Sequence, residues 1–356
     1  MIFMHGSSDK NAAQRARFIS VFLLSVFFTL AFACRAFAET KDYAELIISE
    51  RSLPLREDLA SRVGPAPESV IKILSLNDKI FIQPDKPYRA RTPAPEHIED
   101  IRAAIDSLPP VVRETAESCL LGIYFVENLI GSGLVSRLAG PDYKEYFIIA
   151  INPETLDMNA SEWITKKEKT AFIIDDSSID VSIDIGADRT GLYYIFYHEI
   201  AHVFDYAKRI TQGEEKKGPA KLYDIIVQRS KPPRKKLACI DEFWESYSKP
   251  ARKYDFDGRD GIVFYRLGGP NTKISEATAL YRSLSESPFA TLYASMNWMD
   301  DFAELFAMWM SVENLGRPWR LTLSQNGDTL FSIYNPLKSE PLAARVGLMK
   351  SELFED

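Results

Sequence analysis

Cysteine is scarce in this chain, which has three cysteines among 356 residues. Cys34 lies in an apolar N-terminal segment, and without that segment only Cys119 and Cys239 are left. Two thiols are too few for a thiolate zinc site, so any metal must be bound by imidazole and carboxylate groups. In an oxidising compartment the two cysteines could form one disulfide or stay buried and free, and the sequence is compatible with both states.

The chain also has no excess of positive charge, and histidine is scarce. The net charge is -7 and the pI is near 5.4, so the composition gives no reason to expect nucleic acid as a partner. The hydrophobic content of 46% is enough to form a large core in one large domain or two modest ones. Only four histidines occur, and His5 belongs to the N-terminal segment, so a motif that contains two of the other three carries weight.

The N-terminus has the pattern of an export signal. Basic residues, an apolar run and a small-residue motif follow one another: Lys10, Arg15 and Arg17, then Phe18 to Cys34, then Ala36-Phe37-Ala38. This order predicts a signal peptide over residues 1–38, cleaved before Glu39, and a periplasmic or extracellular protein. Membrane attachment is expected only if the segment stays uncleaved or is lipidated at Cys34, and the bulky Phe32 near Cys34 disfavours lipidation.

The rest of the chain divides into residues 39–96, an N-terminal extension that ends in a proline-rich linker, and residues 97–356, a catalytic domain of mixed helices and strands. The apolar spacing predicts two short helices over 97–116, interrupted at Pro109-Pro110. Two runs rich in β-branched and aromatic residues, 120–126 and 146–151, are typical of strands.

The segment from Gly191 to Lys208 is free of proline and predicts a helix, which side-chain oxygens of Asp188 and Thr190 could cap. Residues 212–236 are charged and proline-broken, and we interpret them as a solvated connection. Further helices are predicted over three ranges: 239–247, 274–285 and 299–312. Asn326-Gly327 between two alternating runs predicts a β-hairpin.

The predicted helix over 191–208 contains a motif with clear chemistry: His198-Glu199-Ile200-Ala201-His202. Residues four apart lie on one face of a helix, about 6 Å apart along its axis, so both imidazoles can bind one ion. Zinc takes neutral imidazole ligands and lowers the pKa of bound water toward neutrality. A carboxylate at Glu199 could take a proton from that water and transfer it to a leaving amine, which is the acid–base role that peptide hydrolysis requires.

A catalytic zinc site needs a third protein ligand and an open position. In the metzincin arrangement that ligand would be a histidine six residues after His202, but this position is Lys208, so that sub-class is excluded. A carboxylate must complete the ligand set.

The chain resembles the gluzincins, the zincin group that includes thermolysin and the catalytic domain of anthrax lethal factor. Besides the helix motif, the resemblance involves a second segment: Tyr293-Ala294-Ser295-Met296-Asn297-Trp298-Met299-Asp300-Asp301-Phe302-Ala303-Glu304. In such families a glutamate binds zinc, and an acidic residue one helical turn later supports a zinc-binding histidine. The resemblance therefore implies that Asp300 is the metal ligand and Glu304 its supporter, and that the Tyr293 hydroxyl helps to stabilise the oxyanion.

The chain departs from the family at the ligand itself, because Asp300 stands where the family has glutamate and its reach is shorter by one methylene group. Asp301, or Glu304 itself, are therefore alternative ligands. Asp205 lies on the face of the motif and could orient an imidazole or bind metal, but a hydrogen-bonding role within the fold is as well supported.

Taken together, the residues and the resemblance predict an α+β protein with a zincin-like fold and a zinc-dependent metallopeptidase that acts on a peptide or protein substrate. The small sheet and the helix with His198 would form the upper lobe, and a helical lower lobe would present Asp300. Two other hypotheses remain open. One is a catalytically silent zincin-like binding or scaffold protein, and the other is a zinc hydrolase of a non-peptide amide.

Overall fold

A computed structural model describes residue 55 and residues 58–81, 86–140, 144–211, 234–265 and 269–355. Its α-helices are α1 (Glu68–Phe81), α2 (Pro95–Asp106), α3 (Pro110–Cys119), α4 (Ala160–Lys169), α5 (Leu192–Lys208), α6 (Ala238–Asp241), α7 (Ala277–Ser285), α8 (Trp298–Trp309) and α9 (Glu340–Leu353). Its strands are β1 (Val63–Pro65), β2 (Arg89–Ala90), β3 (Leu120–Glu127), β4 (Gly133–Ala139), β5 (Glu145–Ile151), β6 (Phe172–Ile173), β7 (Ile179–Asp184), β8 (Trp244–Ser246), β9 (Lys249–Pro250), β10 (Thr272–Lys273), β11 (Arg320–Gln325) and β12 (Asp328–Tyr334). The protein therefore combines helices and strands, as predicted.

The main sheet has the strand order β1-β3-β5-β4, and β2 pairs with β3 beyond the end of β1. The three strands β1, β3 and β5 are parallel, whereas β4 is antiparallel to β5. Strands β3 and β5 are almost wholly buried, which explains their continuous apolar sequences, because parallel strands are covered on both faces. Within the described residues β4 pairs only with β5, so its other side is an open sheet edge.

Alternation along the strands separates two apolar cores. Phe147, Ile149 and Ile151 point into the large core that contains α5 and α8, whereas Ile148 and Ala150 point to a smaller core. Helix α1 covers that second face with Val70, Ile73 and Leu74. Strands from both sides of the predicted boundary at residue 96 thus share one sheet, and the division into an extension and a catalytic domain stays a sequence prediction.

Helix α5 crosses the large core, and its side chains from Leu192 to Asp205 are all buried. The predicted helix is confirmed, but its capping differs from the prediction. Gly191 is the N-cap residue, Thr190 Oγ1 accepts the Leu192 N–H at 3.4 Å, and Asp188 instead pairs with Arg317. At the other end Arg209 adopts a left-handed conformation, which terminates the helix.

The other local predictions can now be compared with the structure. Helices α2 and α3 are separated at Pro109-Pro110, and the predicted helix over 299–312 is α8 with a π-helical extension, Met310–Asn314. Strands β11 and β12 form the expected hairpin, and both turn residues, Asn326 and Gly327, have positive φ. The helix predicted over 239–247 is wrong beyond Asp241, because residues 244–246 form β8, whose Trp244 indole makes a buried hydrogen bond to Asp301.

Several predictions concern residues outside the described ranges, among them the signal peptide over 1–38 and most of the charged connection over 212–236. Cys119 and Cys239 are both free and buried, so the two do not form a disulfide. In the described part of the chain, no helix combines the length and apolar character that a membrane span requires.

Candidate metal centre

Helix α5 presents both histidines of the motif on the face that packs against α8. The Nε2 atoms of His198 and His202 are 3.2 Å apart, and their rings meet edge to face. At this separation the two imidazole nitrogens can bind the same ion, as the spacing of four residues predicts. Both side chains are buried, so their Nε2 atoms face a small shared volume.

Asp300, in the first turn of α8, supplies a third donor atom. Its Oδ1 lies 3.8 Å from Nε2 of His198 and 3.5 Å from Nε2 of His202. The point equidistant from the three atoms is about 2.0 Å from each, which matches zinc–nitrogen and zinc–oxygen distances in proteins. Two imidazoles and one carboxylate also form a ligand set that zinc uses in catalytic sites. The described residues therefore contain a group that could hold a metal ion: His198, His202 and Asp300.

The alternative ligands are occupied elsewhere. Asp301 is completely buried and forms an ion pair with Arg345, with Oδ1 2.8 Å from Nη1, and its Oδ2 accepts the Trp244 N–H at 2.6 Å. Asp205 accepts hydrogen bonds from the backbone N–H and the hydroxyl of Thr211, at 2.6 and 2.7 Å. Both carboxylates hold elements of the fold together and lie outside the three-donor group.

Glu304 lies behind His198, where the resemblance places it. Its Oε1 is 3.2 Å from Nδ1 of His198, a close contact that falls short of strict hydrogen-bond alignment. The same oxygen accepts a hydrogen bond from the Lys167 ammonium at 2.9 Å, and Oε2 accepts the hydroxyls of Tyr194 and Thr291, each at 3.0 Å. Three hydrogen-bond donors thus fix a carboxylate that lies against Nδ1 of the imidazole and can orient it.

The charges of this cluster favour an ionised carboxylate beside each histidine. Burial opposes ionisation of Glu304, but Lys167 and His198 hold the pKa of that carboxyl well below its usual range. Burial likewise opposes ionisation of Asp300, but the neighbouring imidazoles of His198 and His202 hold its pKa well below normal. Burial lowers the pKa of His198, yet its contacts with Asp300 and Glu304 outweigh burial and raise that pKa to about 9. The site therefore attracts positive charge to the imidazoles.

Glu199 lies in the pocket next to His198 and is 6% exposed. Its carboxylate makes no hydrogen bond to any described residue, in contrast to Glu304. Burial raises the pKa of Glu199, although the neighbouring imidazoles act in the opposite direction. A buried carboxylate without a partner and with a raised pKa can accept a proton from a water molecule and then release it.

Gly133, the first residue of the edge strand β4, is in contact with Glu199. A side chain at this position would place its Cβ 2.8 Å from Oε1 of Glu199, so a glycine lets the strand approach the carboxylate closely. Both residues line a pocket of about 350 Å³, part of it open to solvent, and its other walls come from α4, α5, α8 and the loops at 265 and 293. The first residue of the edge strand β4 therefore lies beside the carboxylate of the candidate centre.

Tyr293 lines the same pocket and lies beside His198, with ring centroids 5.8 Å apart. The Lys167 ammonium lies 4.1 Å from the centre of the Tyr293 ring, and Phe264 packs edge to face against it at 5.1 Å. Burial, followed by the charge of Asp300, raises the pKa of Tyr293 well above its ordinary value. The hydroxyl therefore stays protonated and can act as a hydrogen-bond donor.

The sequence did not indicate Lys167, Thr291 or Gly133 as residues of this site. Lys167 is 137 positions from Glu304, and a lysine in a charged helix carries no local signal of such a contact. Tyr194 stands in an apolar stretch of the motif helix, where the sequence alone favours a role in core packing. Its position four residues before His198 on the same helix face could have revealed it, because a buried tyrosine hydroxyl normally requires a partner near the motif.

Comparison with known proteins gives no further assignment, since no family model, curated protein or solved structure matches the chain. The interpretation of the site therefore depends on its own geometry and chemistry.

Proposed function

We propose that this protein is a zinc-dependent metallopeptidase with a zincin-like fold and a ligand set similar to that of the gluzincins, with aspartate in place of glutamate. The observation that carries the proposal is the convergence of His198, His202 and Asp300 on one point, beside the unpartnered carboxylate of Glu199. Zinc bound by these residues would polarise a substrate carbonyl and lower the pKa of a water molecule toward neutrality.

Two side chains would then transfer the proton and stabilise the developing negative charge. Glu199 takes a proton from the attacking water and passes it to the leaving amine, since its carboxylate is free of hydrogen bonds within the described residues. Tyr293 donates its hydroxyl proton in a hydrogen bond to the carbonyl oxygen as negative charge develops there. Glu304 keeps His198 in one tautomer and orientation through its contact with Nδ1.

The edge strand β4 supports an extended peptide as the substrate. A peptide can add to the open side of β4 by backbone hydrogen bonds, and the contact of Gly133 with Glu199 would bring one of its carbonyl groups to the metal centre. The N-terminal pattern of residues 1–38 supports export, so the proposed enzyme acts in the periplasm or outside the cell.

The metal site is tested by mass-spectrometric measurement of the zinc content of the chain that begins at Glu39. We expect about one zinc ion per chain in the native protein and a sharp loss in His202→Ala and Asp300→Ala. His97→Ala is the matched control, because His97 stacks on Phe125 outside the centre. A native protein that carries no zinc and cannot be reloaded would support a zincin-shaped binding protein instead.

The hydrolytic role is tested with a peptide library and the Glu199→Gln variant. We expect peptide cleavage to fall by about 10²- to 10⁴-fold while the zinc content stays unchanged, because glutamine keeps the shape but cannot accept the proton. Equal cleavage by both proteins would contradict the assigned role of Glu199. A zinc-loaded protein that cleaves no peptide but hydrolyses another amide would retain the chemistry and change the substrate class.

A further inference from the structure

Asn297 is placed immediately before α8 and is 6% exposed. Its backbone is extended, so the chain turns sharply between the 3-10 turn Ala294–Met296 and the helix that carries Asp300. Its side-chain Oδ1 accepts the backbone N–H groups of Met299 and Asp300, at 3.1 and 3.0 Å. Asn297 is thus the N-cap residue of α8 and fixes the helical turn from which Asp300 projects.

The other end of the same amide reaches the Asp300 carboxylate. Nδ2 of Asn297 donates a hydrogen bond to Oδ2 of Asp300 at 2.7 Å, whereas the oxygen that faces both imidazoles is Oδ1. The orientation of the amide follows from its partners, because the two backbone N–H groups require an acceptor and the carboxylate requires a donor. One asparagine therefore holds both the backbone and the carboxylate of Asp300.

The hydrogen bond from Asn297 Nδ2 to Asp300 Oδ2 is important because an aspartate side chain is short and its carboxylate must be well oriented to reach a metal. The last torsion of an aspartate side chain is broad, so an unrestrained carboxylate would sample many orientations. We propose that Asn297 is a positioning residue for Asp300: it holds Oδ2 and thereby presents Oδ1 as the single oxygen donor to the metal. The inference rests on the proposed zinc site. It also explains how an aspartate, one methylene shorter than the glutamate of similar enzymes, acts as a ligand from the first turn of a helix.

The test separates the two functions of the asparagine. Asn297→Asp keeps an oxygen that can cap the helix but has no N–H to donate to Oδ2, and Asn297→Ser keeps the cap on a side chain that ends one atom short of the Nδ2 position. The affinity for zinc is measured by competition with a chelator, and thermal unfolding of the same proteins is measured in EDTA. We expect zinc affinity to fall by about 10- to 100-fold in both variants, as for other groups that orient metal ligands. The unfolding midpoint in EDTA should change little in Asn297→Ser but fall in Asn297→Asp, because two carboxylates then meet without a cation.

A matched control is available at α4, whose N-cap Asn159 accepts the Glu162 N–H at 2.9 Å far from the imidazoles. Asn159→Ser and Asn159→Asp should leave zinc affinity unchanged. Combining Asn297→Ser with Asp300→Ala should add no further loss of affinity, because the asparagine acts through the aspartate.

The outcomes distinguish this inference from the proposed function. If native protein binds no zinc, the proposed function fails before Asn297 is tested. If Asp300→Ala weakens zinc binding but both Asn297 variants bind zinc as the native protein does, the metal site stands and the role of Asn297 is overturned. A loss of affinity that Asn297→Ser adds fully on top of Asp300→Ala would likewise overturn it, since it would indicate a general structural effect.

Discussion

Two carboxylates of α8, three positions apart, belong to two buried ionic clusters that differ in what lies next to them. The Glu304 cluster joins Glu304, Lys167 and His198, and the Asp301 cluster joins Asp301, Arg345 and Trp244. Both contain a fully buried carboxylate paired with a buried cation. In the Asp301 cluster all partners lie within the core, whereas the Glu304 cluster contacts, through His198, the three-donor group and also lines the pocket.

The comparison shows that burial and charge pairing alone do not identify a functional site. Arg345 also donates hydrogen bonds to the backbone oxygens of Cys239 and Pro288, so the Asp301 cluster ties α8 to α6 and to the loop before residue 289. The three-donor group next to the Glu304 cluster instead brings Nε2 of His198, Nε2 of His202 and Oδ1 of Asp300 within 3.8 Å of one another. Convergence of such donor atoms on one point is the feature that indicates a metal site.

The largest expected effect in this comparison comes from substituting the two neighbouring aspartates, Asp301 and Asp300, one at a time. Asp301→Ala should lower the free energy of unfolding by about 3–5 kcal/mol, because the Arg345 guanidinium stays buried without its counter-ion. Zinc affinity of the folded protein should be unchanged. Asp300→Ala should show the reverse, a loss of zinc binding with a smaller loss of stability in EDTA of about 1–3 kcal/mol, since it leaves the Asn297 amide without its acceptor but leaves no buried guanidinium unpaired.

Urea unfolding in EDTA and chelator competition measure the two quantities on the same samples. Asp301→Asn serves as a control that keeps side-chain volume and an acceptor for Trp244. If Asp301→Ala abolishes zinc binding without loss of stability, the ligand assignment between the two residues is wrong.

How far the sequence predicts this site depends on whether the information is local. His198, Glu199 and His202 follow from helical periodicity, and the hairpin at Asn326-Gly327 follows from turn chemistry, because each is determined within a few residues. The prediction of Asp300 as the candidate ligand required a resemblance to a known family, since helical periodicity cannot distinguish between neighbouring acidic residues. The structure distinguishes the two aspartates by the side-chain contacts of Asp301, whose partners Trp244 and Arg345 lie 57 and 44 positions away in the sequence.

Long-range contacts also explain what the sequence could not predict. The charged helix α4 looks like a solvated surface helix, yet its Lys167 is buried because Glu304 lies opposite it. Residues 244–246 have helical character in isolation but form β8, where Trp244 reaches the Asp301 carboxylate. In both cases a tertiary partner overrides the local preference.

The second prediction compares the cations of the two clusters. Lys167→Met should destabilise the protein by about 3 kcal/mol in EDTA, because Glu304 is left without its main counter-charge. Zinc should reduce this loss, since the ion adds positive charge next to the same carboxylate through His198. Arg345→Met is the matched variant in the Asp301 cluster, and its destabilisation should be the same with and without zinc. An equal response of the two variants to zinc would remove the distinction between the clusters.

The smallest expected effect concerns single hydroxyl groups. Tyr194→Phe removes one of two hydroxyl donors to Oε2 of Glu304, so we expect a loss of about 1.5 kcal/mol in stability and about 10-fold in zinc affinity. Tyr281→Phe removes a comparable donor from Glu168, which is buried on the same helix as Lys167 but has no contact with the imidazoles within the described residues. It should cost similar stability and leave zinc affinity unchanged. Equal effects of both variants on zinc affinity would mean that packing around α4, rather than orientation of His198 by Glu304, controls metal binding.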